Sequence, residues 1–296
     1  MNAIRLGGQS LRMAVQLAEL PEVERLSPRC IRILGGNPGK FTLQGTNTYL
    51  LGTGSSRLLI DTGEGKPSWI EAIKRTLEEE KASVASALIT HWHPDHQGGI
   101  SHLLEVSPNT KVYKNQPGEG QLDIKDGQKF ETDGATLTAV HSPGHTDDHM
   151  VFLLQEEDAM FTGDNVLGHG TAVFEDLGAY LGSLQKMGSL FKGRAYPGHG
   201  PALADGPGKI AEYISHRRQR EDQVLQNLRS KRAGVGTSDS DSWAPMDLVK
   251  VIYSDVPESL HPAAAGGVVQ ILQKLQREGK VSLAGERWRL NDRSPL

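Results

Sequence analysis

The chain has 296 residues, which is enough for one large domain with a small appendage. No apolar run approaches the roughly 20 residues that a helix needs to cross a bilayer, so a helical membrane protein is excluded. The 32 basic and 36 acidic side chains give a formal net charge of −4, so no global field attracts a polyanion. The single cysteine, Cys30, excludes an intrachain disulfide and is compatible with a cytoplasmic location.

Residues 1–22 are predicted to be a flexible leader. They contain Arg5 and Arg12 and no acidic residue before Glu19, a pattern that resembles an organelle transit peptide. The same composition is typical of an unstructured leader, or of an upstream start with Met13 as the true first residue. We therefore expect a cytoplasmic protein, with a mitochondrial location as the alternative.

Residues 23–205 are predicted to form a catalytic domain of mixed α and β structure with its sheets inside. Short apolar runs alternate there with turn residues and helical patterns. Trp69, Ile73 and Leu77 recur at helical spacing, which predicts an amphipathic helix packed on a sheet. Strands are expected at 48–51, 57–60, 87–90, 111–113, 137–140, 150–154 and 159–161.

Residues 206–296 are predicted to form a separate C-terminal domain. A helix is expected from Pro207 to Arg229, followed by a flexible linker at about 233–242 that is rich in Gly, Ser and Asp. Two further helices, at 246–252 and 263–277, precede a short hairpin. This order of elements is typical of a small winged-helix-like unit.

The strongest functional signal is the motif Thr90-His91-Trp92-His93-Pro94-Asp95-His96, which follows an apolar strand. Alternate residues of a strand share a face, so His91 and His93 can point at one metal ion. Asp95 and His96 then turn back on the following loop toward a second ion. Imidazole and carboxylate ligands without a thiolate favour zinc, although manganese and iron also suit such a site.

Three ligand-type residues farther along the chain share one sequence context. His145, Asp164 and His199 each follow a predicted strand through a turn that contains glycine. A sheet scaffold presents functional side chains at such strand ends. We therefore expect these three residues to bind metal rather than to fill structural roles.

Four other residues are candidates for supporting roles. Asp61 closes a predicted strand, where its carboxylate either orients a ligating histidine or caps a turn. His141 and His149 flank the turn around His145 and are candidates to contact the ligands from behind. His169 lies between two glycines shortly after Asp164 and is a candidate to line the substrate cleft.

The histidine-rich motif, the three downstream ligands and the early Asp61-Thr62-Gly63 together resemble the metallo-β-lactamase superfamily. The resemblance implies an α/β fold, the αββα sandwich, with a dinuclear zinc site at one edge and a small winged-helix-like domain after it. It implies that one ion is held by His91, His93 and His145, the other by Asp95, His96 and His199, and that Asp164 bridges them.

Within that superfamily, the chain from about Glu24 onward resembles the group named after metallo-β-lactamase-like protein 2. That group includes fungal thioesterases of the atrochrysone carboxyl carrier-protein type, which release aromatic polyketides, and single-strand-specific endoribonucleases. Segments 32–43 and 161–170 resemble the thioesterases, whereas segments 171–177 and 196–200 also resemble the ribonucleases. The resemblance implies a thioesterase of secondary metabolism whose partner is an acyl carrier protein domain of a polyketide synthase.

Chemistry and charge point to different substrates. A thiolate leaves readily because the pKa of its conjugate acid is about 8.5, so thioester hydrolysis needs no dedicated general acid. Asp95 is the expected proton-handling residue, because it can hold or accept a proton of the attacking water. Conversely, segment 209–232 carries seven basic against three acidic residues, which could guide single-stranded RNA. The same helix could equally be a solvated face or a docking surface for an acidic carrier protein. Endoribonuclease activity is therefore the alternative function.

Overall fold

The computed structural model describes residues 17–230 and 242–291 of the chain. Residues 1–16 of the predicted leader and 233–241 of the predicted linker lie outside the described residues. Within the described ranges, no helix combines the length and the apolar character that crossing a membrane requires.

The first sheet contains seven strands of the described chain, in sequential order. Antiparallel pairing joins the first four strands, and parallel pairing joins the rest. Every residue of the second and third strands is buried, because the sheet is covered on both faces. The strands are β1 (Val23–Ser27), β2 (Cys30–Leu34), β3 (Asn47–Leu51), β4 (Ser56–Ile60), β5 (Ser83–Ile89), β6 (Lys111–Lys114) and β7 (Leu122–Asp123).

Helices α1 (Pro67–Glu79), α2 (Pro94–Gln97) and α3 (Ile100–Val106) belong to the first sheet's half of the molecule. The predicted amphipathic helix is α1, which buries Trp69 and Ile73 in a cluster with sheet residues such as Leu50. The indole Nε1 of Trp69 donates to Thr48 Oγ1 at 2.9 Å, so its polar group is satisfied inside the core.

The second sheet contains five strands of the range 17–230, in the spatial order β12-β11-β10-β9-β8. Its inner face packs Phe152 and Phe161 against Tyr49 and Leu88 of the first sheet. Helix α4 (Leu177–Gly188) covers its outer face, so the layers are αββα and the predicted fold class is confirmed. The strands are β8 (Lys129–Thr132), β9 (Ala135–His141), β10 (Met150–Leu154), β11 (Ala159–Gly163) and β12 (Ala195–Pro197).

The C-terminal unit packs on the sandwich through one continuous apolar cluster. This cluster joins Met160 and Tyr180 of the sandwich to Val224, Trp243 and Leu272. The domain boundary predicted at residue 205 stays a prediction, because helix α5 contributes to that shared cluster. The elements of this region are α5 (Gly206–Arg229), α6 (Pro245–Ile252), α7 (His261–Arg277), β13 (Val281–Ala284) and β14 (Arg287–Leu290).

Replacing Trp69 with Ala should destabilise the fold by about 3–5 kcal/mol, because it removes the largest side chain between α1 and the first sheet and leaves a cavity. Urea unfolding followed by circular dichroism measures this free energy. Phe41→Ala is the matched control, since this aromatic side chain is 71% exposed and its loss should change stability by no more than about 0.5 kcal/mol. Equal effects of the two substitutions would contradict this account of the core.

Candidate metal centre

The ligand-type residues lie where strands of both sheets end at one edge of the sandwich. His91 follows β5, Asp164 follows β11 directly, and His199 follows β12 after one glycine. His145 lies in the connection between β9 and β10. All seven residues that the sequence singled out are therefore carried to the same edge.

Among the described residues, two groups of these side chains have ligand atoms within 4.8 Å of one another. The carboxylate of Asp164 lies between the groups. Its Oδ1 is 3.4 Å from His96 Nε2, and its Oδ2 is 3.2 Å from His199 Nε2 and 3.6 Å from His145 Nε2. The first group is His91, His93, His145 and Asp164, and the second is Asp95, His96 and His199.

Two buried atoms in the cluster fit a bound cation. His96 Nε2 and Asp164 Oδ1 have no hydrogen-bond partner within the described chain, although they are only 3.4 Å apart. Burying an unpaired polar atom is costly, and a divalent ion between imidazole and carboxylate donors removes that cost. The donor atoms are imidazole nitrogens and carboxylate oxygens, and both are ordinary ligands of zinc.

The electrostatics of the cluster separate its histidines into two kinds. Burial, reinforced by the neighbouring His96, holds the pKa of His91 well below its ordinary value, so this ring is neutral, as binding of a metal through its nitrogen would require. Burial would also lower the pKa of His199, but Asp164 and Asp95 outweigh it and raise this pKa to about 9. Without a metal, the two carboxylates therefore keep a proton on the ring of His199, close to where a cation would bind.

The two carboxylates remain ionised for the same reason. Burial alone would raise the pKa of Asp164, but His199 and His96 hold it well below its ordinary value. Asp95 behaves likewise, because His199 and His96, whose Nε2 atoms each lie 3.3 Å from Asp95 Oδ2, outweigh its partial burial and lower its pKa. Thr46 also donates its hydroxyl to Asp95 Oδ2 at 3.1 Å.

Asp61 contacts a ligand-type histidine from behind, which is the first of the two roles expected from the sequence. Its Oδ2 lies 2.7 Å from His96 Nδ1, and it also accepts from the hydroxyl of Thr90 at 2.9 Å. Its Oδ1 accepts from the backbone N–H of Thr90 at 2.8 Å. With Nδ1 of His96 engaged by Asp61, the other ring nitrogen faces the cluster.

His149 and His141, which flank the His145 turn, have different surroundings. His149 is buried, and its Nε2 accepts from the backbone N–H of Asp164 at 3.1 Å. Burial lowers the pKa of His149 well below its ordinary value, which keeps that nitrogen an acceptor. His141 Nε2 instead lies 2.8 Å from the carbonyl of Asp147, and no described contact joins it to the cluster.

The hairpin between β2 and β3 holds groups that the motif search did not single out. Asn37 Oδ1 accepts from the N–H of Thr46 at 2.9 Å, which orients the hydroxyl that reaches Asp95. Asn47 Nδ2 donates to the carbonyls of Pro197 and Gly200, on both sides of His199. In the sequence, Thr46 and Asn47 are marked only by the run of short polar side chains at 46–48. Their hydrogen-bond partners are distant in the chain, so the sequence does not show what they bind.

A cleft of about 390 Å³ opens beside the cluster. One wall comes from the hairpin, with Phe41 and Leu43, and the other from the segment after β11, with Leu167 and Val173. Val173 is 61% exposed, so apolar surface is offered to a ligand at the mouth. His169 lines this cleft too, as the sequence suggested.

The model of the Metallo-beta-lactamase superfamily matches residues 41–199, and that of the Beta-lactamase associated winged helix domain matches residues 244–288. The chain belongs to the metallo-β-lactamase superfamily. It is thus an enzyme of that superfamily, and the predicted winged-helix-like unit is confirmed.

Curated fungal proteins are similar along most of the chain. Lactamase-like protein adaB of Aspergillus niger is 47% identical over 282 residues, covering 92% of this chain and 89% of that protein. Atrochrysone carboxyl ACP thioesterase of Aspergillus chevalieri is 48% identical over 277 residues, covering 92% and 86%. The protein of that name from Claviceps purpurea is 46% identical over 278 residues, covering 92% and 88%. The resemblance to the fungal thioesterases is confirmed.

Two solved structures share the fold at low sequence identity. A beta-lactamase domain protein from Burkholderia ambifaria has a TM-score of 0.77 at 16% identity, covering 95% of this chain and 96% of that one. A metallo-beta-lactamase family protein from Thermus thermophilus has a TM-score of 0.69 at 22% identity, covering 90% and 100%. These similarities support the fold of the described residues.

Replacing Asp61 with Ala should cost about 3 kcal/mol, because the N–H of Thr90 and Nδ1 of His96 would lose their buried acceptor. Chemical denaturation of the metal-free protein gives this value without a contribution from a bound ion. Asp123→Ala, at an exposed position, should leave stability nearly unchanged. If the Asp61 variant were as stable as this control, Asp61 would not organise the centre.

Proposed function

We propose that this protein is a metal-dependent thioesterase that releases an aromatic polyketide chain from an acyl carrier protein domain of a polyketide synthase. The observation that carries the proposal is its 46–48% identity, over about nine-tenths of the chain, to proteins named atrochrysone carboxyl ACP thioesterase. We further propose that it acts in the cytoplasm, which agrees with its single buried cysteine.

Two zinc ions are the cofactors in this proposal. His91, His93 and His145 would hold one, Asp95, His96 and His199 the other, and Asp164 would contact both. Support comes from the two groups of ligand atoms and from the unpartnered buried atoms of His96 and Asp164. The chemistry that such ions supply is Lewis acidity, which lowers the pKa of water from about 16 toward about 7 and polarises a carbonyl.

Asp95 is the proposed proton-handling residue. Its carboxylate lines the cleft and is partly exposed, whereas that of Asp164 is almost enclosed. The hydroxyl of Thr46 holds Oδ2 of Asp95 in place at 3.1 Å. An oriented carboxylate at the cleft can accept a proton from water as it attacks the thioester carbonyl.

The cleft suits a flat apolar acyl group with an easily displaced thiolate. Phe41, Leu43, Leu167 and Val173 give it apolar walls, and its volume of about 390 Å³ suits a small-molecule ligand. A thiolate leaves without help from a strong acid because the pKa of its conjugate acid is about 8.5. The apolar walls therefore serve mainly to bind the acyl group.

The basic helix α5 supports an RNA substrate less than its composition suggests. Arg217 donates to the carbonyl of Ala172, and its guanidinium lies 4.8 Å from the ring of Phe174. The guanidinium of Arg220 lies 4.4 Å from the ring of Tyr253. These two guanidinium groups contact other parts of the protein, so fewer basic side chains of the helix are free to bind a phosphate backbone.

Asp95→Ala should lower kcat for thioester hydrolysis by at least about a hundredfold, because it removes the proposed proton acceptor and a ligand. The wild-type protein should contain about two zinc ions per chain by elemental analysis. Thermal unfolding provides the control, since a folded variant excludes a trivial loss. A variant with near-normal turnover and an unchanged metal content would remove Asp95 from the mechanism.

The zinc-loaded protein should hydrolyse an aromatic acyl thioester on a carrier protein and should not cut unstructured RNA under the same conditions. Reversing charge at the exposed Arg218 and Arg229 should leave thioester kcat unchanged. If RNA were the substrate, the same reversal would weaken binding and reduce its dependence on salt, since fewer counterions would be released. Efficient metal-dependent RNA cleavage without thioester turnover would overturn the proposal.

A further inference from the structure

The segment from residue 167 to 176, here called the cleft loop, connects the metal centre to helix α4. It begins three residues after Asp164 and ends at Asp176, which caps α4 by accepting from the N–H of Ala179. Leu167, His169 and Val173 of this loop line the cleft. The position of the loop therefore decides the shape of one wall of the cleft.

The cleft loop also holds His145. The carbonyl of Val173 accepts a hydrogen bond from Nδ1 of His145 at 2.9 Å, so this nitrogen carries the proton. Nε2 is thereby left to face the cluster, where it lies 3.2 Å from His93 Nδ1. The carbonyl of Gly144 accepts from the N–H groups of Glu175 and Asp176, at 2.7 and 3.1 Å. The loop thus orients both the imidazole and the turn that carries it.

Helix α5 supplies the side chains that hold the cleft loop. The hydroxyl of Tyr213 donates to the carbonyl of Gly170 at 2.8 Å and accepts from the N–H of Leu167 at 3.2 Å. Arg217, one turn along, donates to the carbonyl of Ala172 at 2.7 Å. Because the loop has no regular secondary structure between 167 and 176, its backbone groups need such partners.

These two contacts differ from the third link between the loop and the C-terminal unit. Arg277 of α7 pairs with Asp176, but both side chains are substantially exposed to solvent. Exposed ion pairs contribute little because water screens them. Tyr213 is buried and Arg217 packs on the ring of Phe174, so the restraint that the C-terminal unit places on the loop comes mainly from α5.

We propose that Tyr213 and Arg217 are positioning residues of the active site, which keep the cleft loop against His145 and against the substrate. The proposal rests on the proposed function, because it takes His145 as a ligand of one zinc ion. Losing a hydrogen-bond partner behind a ligating histidine typically lowers metal affinity by about 10- to 100-fold. Helix α5, outside the sandwich, is in this proposal part of the centre's supporting structure.

The test uses Arg217→Met, which keeps the aliphatic stem, and Tyr213→Phe, which removes only the hydroxyl. Both variants should lose about tenfold or more in affinity for one zinc equivalent and less than about threefold for the other. Competition with a chromophoric chelator measures both affinities. Hydrogen–deuterium exchange should be faster in peptides that cover 168–176 and 142–146. Arg217→Lys should restore part of the lost zinc affinity, since its ammonium can still donate to the carbonyl of Ala172.

Arg218→Met is the matched control, because Arg218 is the next residue on the same helix, is exposed, and makes no hydrogen bond or ion pair among residues 17–230 and 242–291. It should retain wild-type zinc affinity and exchange. If Arg217→Met and Tyr213→Phe matched this control in zinc affinity, the proposal would be overturned, even if their thermal stability fell. Should Arg217→Met fail to fold, Tyr213→Phe decides alone. A wild-type protein that binds zinc but hydrolyses no thioester would contradict the thioesterase and leave this test intact.

Discussion

The amide of Met150, at the start of β10, donates to the carbonyl of Thr90 at 2.7 Å and joins the second sheet to the first beside His91. Similar backbone bonds run from Asn47 to Gly198 and from Gly198 to Gly163, at 2.7 and 2.8 Å. The turns that carry the ligand-type side chains are therefore tied to one another across the sandwich. These bonds hold the turns close together, and this brings the imidazoles and carboxylates at the strand ends into one cluster.

That convergence is costly for the protein alone, because it buries polar atoms without partners and brings rings of the same kind together. His91 and His93 respond with lowered pKa values caused first by burial, while Asp61 and Asp164 stabilise charge on His96. A bound cation reverses this balance, since it provides the positive charge that the carboxylates attract. The same arrangement of polar side chains that destabilises the metal-free fold makes this edge of the sandwich suitable for divalent ions.

His145, Asp164 and His199 could be found from sequence because each follows a strand through a glycine-containing turn, and the other four ligand-type residues lie together in one short motif after a strand. Both patterns are local. Strand β2 escaped prediction since Arg32, fully buried and paired with Glu24, interrupts its apolar run. Helix α4 escaped because its glycines, such as Gly182, lower helix propensity, and packing of Tyr180 against the second sheet compensates. Charge counting also could not tell that Arg217 points inward, because only tertiary contacts decide which face of a helix is exposed.

The C-terminal unit thereby acquires a role beyond covering the sandwich. The apolar cluster that joins Met160 to Val224 and Trp243 sets the position of α5 against the second sheet. Since Tyr213 and Arg217 lie on that helix, packing in the winged-helix unit determines where the cleft loop can lie. A helix that packs through a large apolar contact is a rigid support. A loop without such a support would be more mobile when substrate binds. Appending a winged-helix unit to this sandwich is thus a physical way to stiffen one wall of the cleft beside the ligand-type residues.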